Sequence, residues 1–537
     1  MKKYILITLF MTLLAGIFPS CNEDNLTEVP KTFFAPENLY RSTGGFEVAL
    51  NAVYDQIRGE LTGETKPPAM FTGTDVHWSV FSHPFVKGFE EYGSTLTANL
   101  SVFQRWWDGA YQGLAWVNLI LREAENEEVR WDNPVDRERI IAEARFFRAY
   151  FHNQITTMFG DVPILDRFYE EPKLDFVRSS KTTVLEFVRQ DLEYAAENLP
   201  SDPASLPRGK VSKWAAKHLL AEVYIHLGEY ALAETTANDV INSGPHKLMT
   251  SRFGPEADDP KGNVFRDLFL EGNVDFKDGN LESIWAMQNE WDADGGNGDN
   301  WLRRQHVAFY QRGPGMQIAD SLGGRGIGRI APTQAYLDMY EENDTRNTNN
   351  NLRRKWYYNN PATLPEGKNI GDLVVLDPND PLYEQYRDID LYPSTTKWDF
   401  GVQGRGSSAT YLAAVKDYHK MRLGETYLLL AEAQHLKGDN NAAANTLNIL
   451  RARSNASSIT AGEVDMNFIL DERARELYSE EYRRQTLFRT GMFLERVKAQ
   501  NLQVADKVTE RDELWPIPQS VIDANVEATF AQNPGYN

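Results

Sequence analysis

The sequence contains almost no cysteine, because Cys21 is the only one in 537 residues and no disulfide can form within the chain. It also lacks an excess of basic residues. With 77 Asp and Glu against 56 Lys and Arg, the net charge of -21 disfavours a polyphosphate backbone, so we expect no nucleic-acid partner. The HExxH and GxSxG motifs of two large hydrolase classes are absent. The ligands that stay compatible with this sequence are neutral ones, or charged ones that a few nearby residues recognise.

The apolar run at the N-terminus is too short to cross a membrane. MKKYILITLFMTLLAGIFPSC starts with two lysines and continues through apolar residues from Tyr4 to Phe18. About 15 apolar residues fall short of the ~20 that span a bilayer, so residues 1–20 are predicted to be an export signal. Cys21 is the predicted lipidation site, which would anchor the chain without a transmembrane helix. The alternative is an unmodified cysteine beside an ordinary cleavage site.

Apolar residues recur at helical spacing over much of the remaining chain, and Trp107 lies on one such apolar face, where we expect it to be core. Ser212 stands where a helix N-cap belongs, and glycines follow the expected helix ends. The predicted helices are Gly45 to Ile57, Phe103 to Glu123, Arg137 to Phe159, Thr183 to Leu199, Ser212 to Leu227 and Tyr230 to Ile241.

Two segments share an order of small and large residues that is typical of tetratricopeptide helix pairs. They are AEVYIHLGEYALAETTANDVI from Ala221 and LLLAEAQHLKGDNNAAANTLNILRARS from Leu428. Residues 245–410 between them are rich in Gly, Pro, Asn and Asp, with a short possible strand from Ser283 to Gln288. The sequence therefore predicts a mainly α protein, in which a helix-pair scaffold is interrupted by a large loop-rich insertion that contains short strands.

A last helical section is predicted from Asn467 to Gln500, and it carries a stripe of arginines. We expect this stripe to form structural ion pairs with neighbouring acids rather than a ligand site. Its members are Arg473, Arg475, Arg483, Arg484 and Arg489.

Six blocks together resemble the SusD-like (RagB/SusD) outer-membrane lipoproteins of Bacteroidetes, and they occur in the order of that family. The blocks are IAEARFFRAYFHNQITTMFGDVPIL at 141–165, KWAAKHLLAEVYIHLGEY at 213–230, LAEAQHLKGDNNAAANTLNILRARS at 430–454, ILDERARELYSEEYRRQTLFRTGMF at 469–493, LWPIPQ at 514–519 and QNPGY at 532–536.

The resemblance implies one domain over residues 21–537, built on four tetratricopeptide-like helix pairs. Its scaffold would occupy about 103–245 and 410–500, and its ligand-binding loops about 60–100 and 245–410. It implies a lipid-anchored protein at the cell surface that binds oligosaccharide or polysaccharide without catalysis or cofactor and delivers it to a SusC-like TonB-dependent transporter. The matching blocks are scaffold, so they carry over no ligand contacts.

Sugar rings present a face of C–H bonds rimmed by hydroxyls, and a binding site therefore needs exposed aromatic rings beside polar groups. The tryptophans in loop sequence, which include Trp356 and Trp398, are the candidates for such rings. Each of them could instead pin its loop to the scaffold. The predicted glycan-binding residues are Trp78, Trp291 and Trp301, with Asp75, His77, Asn300 and Arg303 as polar partners.

The stretch WDADGGNGDNW, residues 291–301, also raises the question of calcium. Asp292 and Asp294 match the first two positions of an EF-hand loop, but Asn297 replaces the required glycine and Arg303 replaces the final glutamate. We therefore expect no metal site, with calcium kept as the weaker alternative.

Two other functions remain open at this point. A secreted glycoside hydrolase would need two carboxylates flanking the scissile bond, and no spacing singles out such a pair among the 77 acids. A helical scaffold that binds only protein would bury Trp78, Trp291 and Trp301.

Overall fold

The computed structural model describes residues 36–61, 63–80, 83–84, 86–290, 300–400 and 416–536. No helix in these ranges is both long enough and apolar enough to cross a membrane. The longer helices are α1 (Thr43–Arg58), α2 (Ser101–Glu123), α3 (Asp136–Phe159), α4 (Lys181–Asn198), α5 (Lys213–His226), α6 (Tyr230–Ser243), α7 (Leu423–Leu436), α8 (Asn440–Arg453), α9 (Met466–Leu477), α10 (Arg483–Thr490) and α11 (Phe493–Gln500).

Short helices and strands occupy the stretches between these long helices. The short helices are Pro36–Leu39, Lys66–Phe71, Lys87–Glu91, Val264–Asp267, Leu302–His306, Gln334–Asp338, Tyr383–Gln385 and Gln519–Ala524. The strands are β1 (His77–Trp78), β2 (Ser283–Met287), β3 (Ala331–Pro332), β4 (Leu352–Arg353), β5 (Ser394–Thr395) and β6 (Tyr418–Arg422).

The long helices stack in chain order, from α2 on α3 through α5 on α6. The stack then continues from α6 to α7, which also pack directly although residues 244–422 separate them in sequence. Helix α7 packs in turn against α8 and α9. The structure confirms a mainly helical scaffold with a long loop-rich insertion, and it shows that the insertion leaves the stack unbroken.

Small residues allow α5, α6 and α7 to pack directly at the place where the insertion departs from the stack. Ala221 on α5, Ala237 on α6 and Leu430 on α7 form one buried cluster. The two alanines let the helix axes approach closely, and Leu430 fills the space between them. Gly228, at φ 79°, makes the turn between α5 and α6 without strain. The small and large residues of the tetratricopeptide pattern therefore pack as that pattern predicts.

The predicted helical section from Asn467 to Gln500 is confirmed, and it consists of the three helices α9, α10 and α11. The chain leaves the helical conformation after Leu477, where Ser479 has a left-handed φ of 64°. It turns again at Gly491, which ends α10 at φ 68°. The helices α10 and α11 have eight residues each, which is too short for apolar periodicity to mark where one ends and the next begins.

A two-stranded ribbon encloses most of the insertion between its strands. Strand β2, predicted from Ser283 to Gln288, pairs antiparallel with β6, which leads into α7. Residues 288–417 therefore leave and return at adjacent points of the protein. Away from the scaffold the insertion has a core of its own, in which Tyr310 stacks on Trp356 at 4.9 Å and Tyr392 is buried.

Buried ion pairs fasten the insertion to the scaffold. Arg346 has no exposed side-chain surface, and its guanidinium contacts Asp344 of the insertion at 2.8 Å. It also contacts Glu472 at 2.8 Å and Glu476 at 3.0 Å, both on α9. Because removing one member of a buried pair leaves an uncompensated charge, this contact fixes how the insertion sits on the helices.

The arginine stripe forms structural ion pairs, as the sequence predicts, with one exception. Arg484 pairs with no acid among the described residues and donates instead to the carbonyls of Ala69 and Thr72 and to the hydroxyl of Tyr92. The remaining contacts are Arg473 with Glu425 and Glu481, Arg475 with Glu472, Arg483 with Asp75 and Glu481, and Arg489 with Glu432.

Candidate functional site

Trp78 lies at the surface because of the pleat of a two-residue strand. In β1 the side chains alternate, so His77 points into the protein and Trp78 points outward and is half-buried. Strand β3 pairs with β1, and the indole N–H of Trp78 donates to the carbonyl of Pro332 at 2.9 Å. The ring is thereby held in one orientation while part of it stays accessible.

The ring of Trp78 forms one wall of a groove of about 270 Å³, which we call the Trp78 groove. The buried residue Phe89 also lines it, together with residues that carry carboxylates, an amide and an ammonium group. The other lining residues are Thr72, Gly73, Ser79, Glu90, Glu91, Gln503, Val504 and Lys507. An aromatic wall with donors and acceptors along its rim fits the C–H face and the hydroxyls of a sugar ring.

The backbone under the Trp78 groove is rigid. Gly73 has a φ of 73°, and a Cβ atom there would collide with the carbonyl oxygen of Phe89. The hydroxyl of Tyr92 donates to the carbonyl of Gly73 at 2.6 Å. The buried amide of Asn501 donates to the carbonyls of Thr74 at 2.6 Å and His77 at 3.0 Å. The groove is therefore shaped before any ligand arrives.

One rim of the groove comes from a distant part of the chain. Lys507, which is exposed, donates from its ammonium group to the carbonyl of Gln503 at 2.9 Å and to that of Glu90 at 3.4 Å. Glu91 is in ion-pair contact with Lys87 at 3.7 Å across the surface of the short helix. Acidic and basic groups are thus both available at the rim for hydrogen bonds to hydroxyls.

Asp75 is buried and serves the structure instead of facing a ligand. Its carboxylate accepts bonds from Arg483 at 2.6 Å and 2.9 Å and from Arg496 at 2.7 Å. Burial alone would raise the pKa of Asp75, but the two guanidinium groups hold it well below its usual value. We correct the expectation that Asp75 contacts a ligand, because no part of the residue is exposed.

His77 is likewise fully buried, with its ring stacked on Tyr478 at 4.6 Å and close to His306 at 5.8 Å. Burial and the neighbouring imidazole of His306 lower the pKa of His77 well below its usual value, so the ring is neutral at pH 7. The pleat that exposes Trp78 turns the preceding residue inward. His77 therefore supports the groove from behind and does not line it.

Three of the predicted glycan-binding residues, Asn300, Trp301 and Arg303, lie apart from the Trp78 groove. Asn300 is buried and accepts a hydrogen bond from the backbone N–H of Leu302 at 2.9 Å, at the start of the short helix Leu302–His306. Arg303 is buried, contacts Asp320 at 2.9 Å and lies 4.3 Å above the ring of Phe400. Both polar side chains are thus enclosed in this structure, which corrects their expected ligand role.

Trp301 itself is half-buried, and the guanidinium of Arg304 lies 5.0 Å from its ring centre. Trp301 does not line the Trp78 groove. Its role in ligand binding stays a prediction.

Three predicted features lie outside the described residues. They are the N-terminal segment with the export signal 1–20 and the lipidation site Cys21, the ring of Trp291, and the calcium alternative in the stretch 291–299. In the parts of the chain that the structure describes, no group of three or more His, Cys, Asp or Glu side chains could hold a metal ion.

The other loop tryptophans pin their loops, which was the alternative role considered for them. Trp356 is buried and its indole N–H donates to the carbonyl of Leu391 at 2.9 Å. Trp398 is buried and donates to the hydroxyl of Ser479 at 2.6 Å. Neither ring is available as a platform for a ligand.

Sequence reasoning missed the residues that complete the Trp78 groove. Phe89, Glu90 and Glu91 lie on the short helix Lys87–Glu91, which is too short to show periodicity. Gln503 and Lys507 follow α11, more than 400 positions after Trp78. Only the fold brings these segments together, and no local signal pointed to them.

Comparison with known proteins gives two family matches and many similar structures. A model described as "SusD family" matches residues 281–536, and one described as "Starch-binding associating with outer membrane" matches residues 48–225. The chain is 25% identical to SusD-like protein P25 of Formosa agariphila over 527 residues, covering 89% of this chain and 88% of the relative.

The chain is also 25% identical to starch-binding protein SusD of Bacteroides thetaiotaomicron over 441 residues, which is 74% of this chain and 72% of the relative. Among solved structures, a laminarin-binding SusD-like protein superimposes with a TM-score of 0.67 at 21% identity, over 91% of this chain and 99% of that one. At that identity the likeness establishes the fold.

Proposed function

Because the chain belongs to the SusD-like proteins, we propose that it binds an oligosaccharide or polysaccharide at the Trp78 groove and delivers it to a SusC-like TonB-dependent transporter. The observation that carries the proposal is the indole of Trp78. Its N–H is already bonded to Pro332, so the ring offers an oriented apolar face beside a polar rim. The names of two relatives, one starch-binding and one laminarin-binding, support a carbohydrate ligand.

The binding part of this proposal is tested by calorimetric titration of the purified protein and its Trp78→Ala variant. Starch and laminarin oligosaccharides are the first probes. Loss of a large apolar side chain from a ligand contact removes about 1.5–3 kcal/mol, which weakens Kd by roughly ten- to a hundredfold. A ring that acts as a platform predicts that Trp78→Phe retains more affinity than Trp78→Ala.

Trp116→Ala is the matched control, because Trp116 is a half-buried tryptophan of α2 that does not line the groove. It should lower stability by a comparable amount and leave Kd unchanged. If Trp78→Ala binds every glycan that the parent protein binds with unchanged Kd, the site is elsewhere. In that case Trp301→Ala is the next variant to measure.

The absence of catalysis is part of the proposal and needs its own measurement. Purified protein is incubated with each polysaccharide it binds, and new reducing ends are counted against a mock preparation. Reducing ends above that background would favour the glycoside hydrolase alternative. We expect none, because the Trp78 groove presents a single aromatic wall and adjacent carboxylates, Glu90 and Glu91, on one rim.

We further propose that Cys21 is acylated and holds the protein at the outer membrane beside its transporter. The apolar run before Cys21 and the description of the family model for residues 48–225 support this location. Cys21→Ala should shift the protein from the membrane fraction to the soluble fraction. Recovery of both forms in the membrane fraction, with equal detergent dependence, would contradict lipid anchoring.

A further inference from the structure

Exposed apolar side chains are concentrated in one short part of the insertion. Five of the thirteen large apolar side chains that are exposed in the described chain fall between residues 357 and 382. They are Tyr357, Ile370, Leu373, Val375 and Leu382. Single exposed apolar residues are ordinary on a protein surface, whereas a contiguous group of them marks a surface that a partner covers.

Two segments of this region, residues 356–358 and 372–376, lie side by side as an antiparallel pair that we call the Tyr357 ribbon. Two backbone bonds join them, from the N–H of Tyr358 to the carbonyl of Asp372 at 3.0 Å and from the N–H of Val374 to the carbonyl of Trp356 at 2.9 Å. These bonds bracket Tyr357 and Leu373, which stand opposite each other without bonding. The N–H and C=O groups of Leu373 therefore point away from the ribbon, and no backbone hydrogen bond to either group occurs among the described residues.

The two faces of the Tyr357 ribbon differ in burial, because successive side chains of a strand point to opposite sides. The inner face packs on the core of the insertion and carries Trp356, Tyr358, Val374 and Leu376. The outer face carries the exposed side chains of Tyr357, Leu373 and Val375. An unpaired strand edge beside an apolar face is the arrangement to which an extended segment of another protein adds as a further strand.

The charges around the ribbon are mainly negative. Residues 355–384 contain five acids, Glu366, Asp372, Asp377, Asp380 and Glu384, and two bases, Lys355 and Lys368. Three of the acids accept bonds from nearby backbone N–H groups, Asp372 from Asn369 at 2.8 Å, Asp377 from Asn379 at 2.9 Å and Asp380 from Leu382 at 2.7 Å. Such bonds orient a carboxylate but leave its charge in place, so the ribbon has a negative rim.

We propose that the Tyr357 ribbon binds an extended segment of a partner protein in which apolar side chains alternate with Lys or Arg. The edge at Leu373 supplies backbone bonds, the apolar side chains of the partner cover Leu373 and Val375, and its basic side chains meet the acids of the rim. A second copy of this chain is disfavoured, because it brings the same negative rim and a net charge of -21. A glycan is disfavoured because Leu373 and Val375 are aliphatic and offer no flat ring to a sugar.

The probe is a fluorescent nine-residue peptide of alternating Val and Lys, and anisotropy measures its Kd for the full-length protein. The same peptide with Glu in place of Lys tests the charge, and a version with two central prolines keeps the charge but cannot pair as a strand. We expect the Lys peptide to bind and both other peptides to bind at least about tenfold more weakly. No binding of the Lys peptide, or equal Kd values for all three peptides, would overturn the proposal.

Val375→Lys is the test variant and Val135→Lys is its matched control. The two valines are 70% and 69% exposed, both variants gain one positive charge, and Val135 precedes α3 on the scaffold. Val375→Lys should weaken the Kd for the Lys peptide about tenfold, since it removes a buried apolar contact and repels a basic segment. Val135→Lys should leave that Kd within about twofold of the parent. Both sites are exposed, so both variants should keep the thermal midpoint of the parent. Equal Kd values for the two variants would refute the site.

Two measurements distinguish the other possible occupants of the ribbon. Sedimentation velocity should show a monomer for the parent protein, and a dimer that Val375→Lys disrupts and Val135→Lys does not would assign the ribbon to contacts between copies of this chain. The Kd for a glycan that the parent binds should be unchanged in Val375→Lys. A glycan Kd that is weakened in this variant alone would assign the ribbon to the glycan and contradict a protein partner.

Discussion

Replacing Asp75 by Asn separates the two roles that sequence and structure assign to this residue. The sequence placed Asp75 beside a glycan, whereas the structure buries its carboxylate against Arg483 and Arg496. The asparagine keeps the shape of the side chain but loses its charge and one acceptor oxygen. Two fully enclosed guanidinium groups then lose their shared counter-ion, although Arg483 retains a contact with Glu481 at 2.9 Å.

The expected loss is about 3–5 kcal/mol in the free energy of unfolding, the range found when one partner of a buried ion pair is removed. Urea unfolding followed by tryptophan fluorescence measures this loss as a lower midpoint at an unchanged slope. Asp258→Asn is the control, because Asp258 is exposed. It should change stability by less than about 0.5 kcal/mol.

The pH dependence gives a second check on Asp75. Its folded pKa is lowered, so the stabilisation is fully present above the unfolded value of about 3.9 and is lost as the pH falls below it. The gap in stability between the parent and Asp75→Asn should therefore be widest above about pH 5 and shrink in acid. If Asp75→Asn instead lost glycan affinity at unchanged stability, the carboxylate would be a ligand contact and the structural assignment would fail.

Two further predictions concern the backbone of the groove and the base of the insertion. Gly73→Ala places a methyl group against the carbonyl of Phe89 at a positive φ, so it should cost about 1–3 kcal/mol of stability and weaken glycan binding. Gly367→Ala is the control, because Gly367 also has a positive φ but has open space around it. This variant should cost stability without changing the Kd for the glycan. Burial lowers the pKa of Lys416 to about 7, and its ammonium donates to the carbonyls of Phe269, Lys397 and Asp399. Between about pH 7 and 10.4 the unfolded chain then binds more protons than the folded protein, so the free energy of unfolding should rise with pH across that window, more steeply in the parent than in Lys416→Met. Denaturant titrations at pH 7 and pH 9 measure this rise for both proteins. An equal change in unfolding free energy in the two proteins would contradict the lowered pKa of Lys416.

The helical part of the fold was predictable because its signals are local. Helix α2 was predicted from Phe103 to Glu123 and begins only two residues earlier. Ser212 caps α5 as expected, accepting from the backbone N–H of Trp214. Periodicity and capping depend on neighbours in sequence, and tertiary packing reinforced both here. The breaks within the last helical section, at Ser479 and Gly491, were not specified, although a glycine such as Gly491 is a local stop signal.

The candidate site was harder to predict, since a loop residue's exposure is set by what covers it. Trp78 and Trp398 both stand in polar loop sequence, yet one lines a groove and the other is enclosed. The polar partners failed for a related reason. Asp75 and His77 were chosen for being close to Trp78 in sequence, but strand pleating turns His77 to the opposite face, and Arg483 and Arg496 hold Asp75 in the interior. Partners at the rim came from segments far along the chain.

The direct packing of α6 on α7 has a consequence for how such a protein can diversify. The chain leaves the stack after α6 and rejoins it at the adjacent helix α7, and the pairing of β2 with β6 ties the connection together in between. The entropic cost of a longer connection is small once its ends are fixed, at about 0.6 kcal/mol for each doubling of length. Segments between β2 and β6 can thus be lengthened or shortened while the helices keep their fold, as long as the buried contacts of Arg346 with α9 are kept. The Trp78 groove is lined by residues outside this segment, so the chain can vary between the strands without rebuilding the site that we propose for the ligand.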